Sequence, residues 1–408
     1  VELQVHKQFA NMIYGILHIL FLLLFVYLGI NILYLLVFAI AGKFAHKAST
    51  GTFSSKKKIA VLIPSYNEDA VIINTAKLAS QHDYPREYFD IFIAADHLSS
   101  ETTRILKSLD VQVWEVHFQK GSKARSLNFL LNSINEDKYD IALVLDGDNV
   151  MSAGFLEKIN TAFQQGSLCI QGHRTAKNSN SSIAVLDALS EEINNHLFRK
   201  SQRALGFSSS TIGSGMAFQF KKLKGIYNKP GILDNPACDR EVDFEMMKAN
   251  ITVAYLDDAY VLDEKVSRKK VFENQRRRWL ESQFVHLKLF CTEHVPNKTK
   301  NYWNKLFINL IPPRIIFLTL FILIFLICFA EYIAKTDITG ISIRWWAFLF
   351  SMYLMAMLLS VPRKLFSWHT VKAIIYLPVI IFSYLKAALG IKFNRKEFVH
   401  TPKSYTDN

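Results

Sequence analysis

Two long apolar ends enclose a middle in which short hydrophobic blocks alternate with polar ones. Phe9 to Ala41 contains no acid and no Lys or Arg, and it exceeds the roughly 20 residues a helix needs to cross a bilayer. It is too long for a secretory signal and lacks the small-residue cleavage site of one. Near the other end, Ile315 to Ile333 is an apolar run broken by Thr319 and Glu331, and Trp345 to Val361 is a second. A third run, Val371 to Ile391, contains Lys372 and Lys386; it predicts a segment that lies in the interface or re-enters, not a full span. Pro312-Pro313 marks a break before the first of these.

The middle reads as strands followed by helices. Ile59 to Ile63 is strand-like, Pro64-Ser65-Tyr66-Asn67-Glu68 is a turn, and Ala70 to Gln81 is helix-like, together the first half of a βαβ unit. Ile91 to Ala95 ends at Asp96, and Ser99-Ser100-Glu101-Thr102 then opens a helix with an N-cap serine. Val111 to Val116 precedes Lys120 to Asn132, and Ile141 to Leu145 ends at Asp146. This order predicts a Rossmann-like α/β domain, a mostly parallel sheet with helices on both faces. Ligands of such sheets bind beyond the C-terminal ends of the strands, where Glu68, Asp96 and Asp146 all fall. The expected division is an N-terminal membrane helix over 1–42, a catalytic domain over 43–302, membrane or interfacial helices over 303–394 and a tail over 395–408.

Composition sharpens this picture. Half of the 408 residues are hydrophobic and the net charge is +13. Lys and Arg cluster at Lys56-Lys57-Lys58, Arg268-Lys269-Lys270, Arg276 to Arg278 and Arg363-Lys364, the excess expected of loops that stay in the cytoplasm. No helix-turn-helix, zinc-finger or RNA-binding pattern accompanies the charge, so nucleic acid is not an expected partner; anionic nucleotides and lipid head groups are. Four cysteines without a CxxC pair suit a reducing compartment.

Several polar clusters carry candidate chemistry. Asp146-Gly147-Asp148 follows a strand; read as extended, it aims both carboxylates the same way, suited to a hard divalent ion completed by phosphates and water. The same triplet is common in surface turns. Asp96 could simply cap the next helix. Lys120-Gly121-Ser122-Lys123 offers cations and a glycine loop to a phosphate, although a solvated basic loop looks similar. Gly213-Ser214-Gly215 allows an acceptor close to the backbone, as does any turn. Gln275-Arg276-Arg277-Arg278-Trp279 combines phosphate-binding arginines with a flat aromatic face, or else is a membrane-surface anchor.

In their order, these clusters resemble the processive, membrane-embedded glycosyltransferases of family 2, the group that includes cellulose, hyaluronan and poly-N-acetylglucosamine synthases. The resemblance runs from about Lys58 to Gln283. It implies a GT-A catalytic domain on the cytosolic side and a nucleotide-sugar donor, a UDP-sugar. Pro64, Tyr66, Glu68, Asp96, Lys120, Lys123 and Asp146 would line the nucleotide, and Asp146 with Asp148 would hold Mg2+ or Mn2+. Gln275, Arg278, Trp279, Gly213, Ser214 and Gly215 would meet the diphosphate and acceptor. Of the arginines only Arg278 occupies the phosphate position, so Arg278→Ala is expected to lose transfer far more than Arg276→Ala. The catalytic base of the family's Glu-Asp pair falls on Asp239, counted back from Thr252 to Leu256; Cys238 stands where the Glu is usual, and Glu241, Asp243 and Glu245 follow closely. Phe398-Val399-His400-Thr401-Pro402-Lys403 resembles a gating segment in which Phe398, Thr401 and Lys403 match and His400 departs.

The expected reaction is metal-dependent, inverting transfer of a sugar to a growing β-linked polysaccharide at the membrane. Transfer of one sugar to a lipid is the main alternative. A non-catalytic nucleotide-sugar scaffold is a third, for which Cys238 is the best argument. No P-loop lysine motif supports an ATP-driven transporter.

Overall fold

The structure, a computed structural model, describes residues 2–45, 53–235 and 238–391. Phe398, Thr401 and Lys403 lie outside them. The centre is one eight-stranded sheet. Its first half comprises β1 (Ile59–Tyr66), β2 (Phe89–Asp96), β3 (Gln112–Val116) and β4 (Ile141–Val144), all parallel, in the order β3-β2-β1-β4. Strands β1 and β4 are buried on both faces, which is why they read as continuous apolar runs and not as alternation.

The second half is mixed. It contains β5 (Val150–Met151), β6 (Cys169–Ala176), β7 (Met216–Gln219) and β8 (Ala254–Asp263), and it continues from β4 as β7-β6-β8-β5. Strand β7 is antiparallel to both neighbours, β8 is parallel to β6, and β5 is antiparallel to β8. The α/β domain with a mostly parallel sheet is therefore as the strand pattern predicts.

Helices cover both faces. Helix α1 (Glu2–Lys43) precedes the sheet. Helices α2 (Asp69–Ser80), α3 (Ser100–Lys107) and α4 (Lys123–Ser133) follow β1, β2 and β3. Ser99 and Ser122 cap α3 and α4 by accepting from the backbone N–H of Thr102 and Arg125, satisfying donors the first turn leaves open. Helix α5 (Phe155–Gln164) follows β5. After β6 come α6 (Ser182–Asn195), a π-helical turn (His196–Lys200) and the short α7 (Ser201–Ala204). Helix α8 (Phe220–Tyr227) and α9 (Cys238–Lys248) lie between β7 and β8. One core cluster joins β1 and β4 to α4, α8 and α9; the other joins them to α2 and α5.

Beyond β8 run α10 (Lys269–Thr292), α11 (Lys300–Leu310), α12 (Arg314–Ala334), α13 (Ile343–Ser360), α14 (Trp368–Ile374) and α15 (Leu377–Leu389). Among the described residues three helices are long and apolar enough to cross a membrane: residues 11–43 of α1, then α12 and α13. Helices α14 and α15 meet at a 50° bend, so the third C-terminal run is broken and not one straight rod. The apolar stretch of α1 has 33 residues, or about 50 Å of helix against a hydrocarbon core of about 30 Å. The excess reaches the sheet domain: His196 Nε2 lies 2.8 Å from the Ala39 carbonyl. One apolar cluster runs from α1, α12 and α13 into Ile193 and Leu197.

A buried charged knot holds α6 to the sheet. His173 of β6 has Nε2 2.9 Å from Glu192 Oε2 and Nδ1 3.2 Å from Asp257 Oδ1. Burial opposes its protonation, but Asp257 and Glu192 outweigh it and raise the imidazole pKa above the usual 6.5. Burial likewise opposes ionisation of Glu192 and Asp257, yet His173 with Thr175 and Lys364 holds Glu192 at about 2, and His173 with Lys200 holds Asp257 at about 2. A raised histidine stabilises fully below its unfolded value and loses that effect as pH rises through the folded value. The melting temperature of wild type should therefore exceed that of His173→Gln most near about pH 5.5, with the gap shrinking by about pH 9. A gap independent of pH would show that His173 stays neutral.

Candidate active site

Strands β1 and β2 end at the same level, with Tyr66 opposite Asp96. Each is followed by a residue in the left-handed region, Asn67 (φ 53°) and His97 (φ 56°), a conformation Asn and His tolerate better than most. The chain therefore turns sharply at both strand ends, and the Asn67 N–H donates to the Asp96 carbonyl at 3.1 Å. Asp96 is fully buried. Its Oδ1 lies 2.6 Å from His97 Nδ1 and accepts from the Phe118 N–H at 3.3 Å, while Oδ2 has no partner among the described residues. Tyr66, His97 and His117 form an aromatic rim, with ring centroids 5.6 Å and 5.3 Å apart in turn. The two histidines are outside the set read from sequence; their only signal there was adjacency to the strand ends.

The Asp-Gly-Asp triplet is not extended. The Asn149 N–H donates to the Asp146 carbonyl at 3.0 Å, an i to i+3 bond that makes residues 146–149 a turn. Strand alternation therefore does not aim the two carboxylates together, which corrects the extended reading. Asp146 remains partly open, whereas Asp148 is buried, its Oδ1 3.4 Å from Asn149 Nδ2. A side chain at Gly147 would strike the Glu68 carboxylate, so Glu68 lies directly over the turn.

Lys123, in the first turn of α4, donates to Asp146 and to the Gly213 carbonyl. Gly213 (φ +86°) turns between two charged groups: a Cβ there would lie 3.2 Å from Lys123 Nζ and 3.3 Å from Asp239 Oδ2. Only glycine adopts that φ without strain while admitting both. Burial lowers the Lys123 pKa, but Asp146, Cys238 and Asp239 more than offset it, and the net shift is upward. Lys123 is therefore a cation at neutral pH. Arg278 in α10 faces the same group: burial lowers its pKa, and Asp239, Asp146 and Cys238 oppose that. Asp239, Asp146, Lys123 and Arg278 thus converge, although they come from four separate elements.

Other expected residues play supporting parts. Ser214 Oγ accepts from the Asp146 N–H at 3.0 Å, and the Gly215 N–H pairs with the Val144 carbonyl at 2.9 Å, so both fasten the turn to β4 and β7. Pro64 is buried inside β1 opposite Ala94 and seats the turn without lining it. Lys120 is exposed on the loop before α4. Gln275 Oε1 lies 3.4 Å from an Arg276 Nη.

Arg276 is not a surface residue. It pairs with buried Asp187, and its guanidinium sits 3.8 Å from the Trp279 ring centroid and 4.5 Å from that of Phe272. One face of Trp279 is therefore occupied, and Arg276 serves the packing of α10 against Asp187. Cys238 points into the core beside Tyr227, 3.8 Å from its hydroxyl. Burial, aided by Asp239, pushes its thiol up to about 12. It is a neutral packing residue where a Glu would bury a charge.

Among the described residues no three His, Cys, Asp or Glu side chains group closely enough to hold a metal alone. Two carboxylates beside a lysine and an arginine suit a hard divalent ion that takes its remaining ligands from diphosphate oxygens and water. The donor set fits such an ion in company with a nucleotide.

The sequence pattern of glycosyltransferase-like family 2 matches residues 56–282, more than half of the chain. The chain belongs to that family. Its curated relatives include the beta-monoglucosyldiacylglycerol synthases of Trichormus variabilis and of a Nostoc species, each 23% identical over 235 residues. That match takes in 55% of this chain and 49% of each relative, so the chain spans about half the length of the curated relatives it matches. Among solved structures, a mannosyltransferase from Pyrobaculum calidifontis in complex with GDP-Man and Mn2+ superposes with a TM-score of 0.57 at 13% identity, covering 92% of this chain and 98% of that one. The likeness in fold thus extends past the family 2 domain into the apolar helices. The domain is of the GT-A type.

Arg276→Ala should lower stability by about 3–5 kcal/mol, because it leaves Asp187 buried without a countercharge. Arg278→Ala should fold normally and lose about ten- to a hundredfold in affinity for a nucleoside diphosphate. Melting curves and calorimetric titration with UDP and GDP check the pair. Equal effects from the two substitutions would show that Arg278 too is structural.

Proposed function

We propose that the chain is a glycosyltransferase that moves a sugar from a nucleotide donor, with inversion, onto an acceptor presented at the membrane face. The observation that carries the reading is the convergence of Lys123, Arg278, Asp146 and Asp239 where ligands of parallel sheets bind. Lys123 and Arg278 are placed to take the charge that develops on the departing diphosphate, a stabilisation worth most in a site that excludes water. Mg2+ or Mn2+ held by Asp146 and Asp148 would share that neutralisation. Asp96 Oδ2, buried and unpartnered among the described residues, suits a ring N–H, which uracil and guanine both present. The family resemblance favours a UDP-sugar.

Asp239 is the proposed base for the acceptor hydroxyl. Its acidic neighbours are committed elsewhere: Asp243 accepts from Lys305 Nζ at 2.6 Å and from the Thr211 N–H at 3.3 Å, and Glu241 accepts from Asn235. With Asp239 taking the proton, one displacement at the anomeric carbon turns an α-linked donor into a β-linked product. The catalytic domain, residues 43–302, is assigned to the cytosolic side from the basic loops around it.

A lipid-borne acceptor leads, because the apolar helices pack directly against α6 and the π-helical turn and the curated relatives are named for a glucolipid. Polysaccharide extension is the second reading, favoured by the Gln275 to Trp279 motif. The purified full chain in nanodiscs, offered a panel of UDP- and GDP-sugars with Mg2+ or Mn2+, should release nucleoside diphosphate and place labelled sugar in the lipid extract. Label in a polymer precipitate would instead select the second reading. Asp146→Asn with Asp148→Asn should abolish transfer in a protein that still folds, with a lowered melting temperature because Lys123 loses its paired carboxylate. Undiminished transfer in chelator, or by that double variant, would remove the metal from the account.

A further inference from the structure

A second buried charged network touches the turn at residues 146–149. Strands β5 and β8 pair antiparallel with Val150 opposite Leu262, so the register carries Asn149 opposite Asp263 at the end of β8. Asn149 is fully buried, and its Nδ2 lies 3.1 Å from Asp263 Oδ1 and 3.4 Å from Asp148 Oδ1. Its Oδ1 is buried without a partner among the described residues. The two carboxylates therefore set the amide, since a flip would turn its oxygen toward both.

Asp263 is held in turn by Lys265, two residues further on and 5% exposed. The Lys265 ammonium donates to Asp263 Oδ2 at 2.7 Å and to Glu191 Oε2 of α6. Arg174 of β6 donates from Nε to Glu191 Oε1 at 2.6 Å and from Nη1 to the Ile212 carbonyl at 3.2 Å, one residue before Gly213. The Lys265 backbone is fixed as well: its N–H donates to Asn178 Oδ1 at 2.6 Å, and its carbonyl accepts from Asn178 Nδ2 at 3.1 Å. Lysine is buried this deeply only when paired, and such a set holds its members firmly because losing one strands the charge of another. Direct contacts thus run from Glu191 through Lys265, Asp263 and Asn149 to Asp148. Contacts behind a metal ligand orient it and tune affinity for the ion.

We propose that Lys265 is a positioning residue for the metal–nucleotide site, holding Asp263 against Asn149 so that the turn keeps Asp148 in place to receive a divalent ion. This rests on the glycosyltransferase reading and adds to it a residue outside the clusters that carry the chemistry. Lys265 acts through Asp263 and Asn149 and not by contact with the donor or the ion.

Electron paramagnetic resonance of Mn2+ added to the full chain in detergent, with saturating UDP or, separately, GDP, measures the affinity directly. Lys265→Gln should bind Mn2+ about ten- to a hundredfold more weakly than wild type, while metal-free nucleotide binding stays within about threefold. Asp263→Asn and Asn149→Ala cut later links and leave Lys265 paired with Glu191, so they carry the test should Lys265→Gln fail to fold. Each should lose at least about tenfold in Mn2+ affinity. Lys265→Gln combined with Asn149→Ala should be no weaker than the weaker single variant, because both cut one path. In transfer assays excess Mn2+ should restore the rate, which it would not do for a site that is merely misfolded. Wild-type Mn2+ affinity in Lys265→Gln, or in both Asp263→Asn and Asn149→Ala, would overturn the proposal, as would losses that multiply in the double variant. A wild type that transfers sugar in chelator and binds no Mn2+ would overturn it and leave the glycosyltransferase reading standing. The expected Mn2+ losses in a protein that moves no sugar from any donor would count against that reading alone.

Discussion

A lysine ammonium held beside two carboxylates fixes the centre of this molecule. Lys123 binds Asp146 and the Gly213 carbonyl and lies close to Asp239. Four pieces of chain far apart in sequence must therefore meet: the start of α4, the turn after β4, the loop before β7 and the start of α9. Buried charges are tolerated only when paired, so none of these pieces can drift without exposing an uncompensated group. The parallel half of the sheet supplies the rigid edge. The Gly213 turn supplies the close approach, and Ser214 pins the Asp146 turn from below. The same interaction that holds the loops together also leaves one cation and one carboxylate facing the place where a diphosphate and a hydroxyl would react.

Much of this was legible in the chain, for physical reasons that differ by element. Strands β1, β2 and β4 are buried on both faces and so appear as unbroken apolar runs, and Ser99 announces its helix by capping it. Strands β5 and β7 have two and four residues, too short to show any period, so the mixed half of the sheet could not be read. The turn at Asp146 was misread because it depends on one backbone bond that residue alternation does not encode. Among three consecutive arginines, the one that turns inward is set by Asp187, a partner 89 positions away. Cys238 looked like damage to a motif; its side chain simply enters the core beside Tyr227.

The catalytic domain and the apolar helices are one packed body and not a domain on a tether. Helix α1 outruns a bilayer and ends against the irregular backbone of the π-helical turn. Helix α11 sends Lys305 to Asp243, next to the proposed base. In the proposed reading the acceptor side draws on elements that run on into the apolar helices, and the donor side on the strand ends together with Lys123 of α4 and Arg278 of α10.

The central claim is that Asp239 takes the acceptor's proton in a site where Lys123 and Arg278 receive the leaving diphosphate. Asp239→Asn keeps size and polarity but removes the proton acceptor. Measured side by side in nanodiscs, nucleotide-sugar binding should stay within about threefold of wild type while sugar transfer falls at least about a hundredfold. Transfer at the wild-type rate by Asp239→Asn, with Glu241→Gln or Asp243→Asn inactive, would contradict the account and move the base to that neighbour.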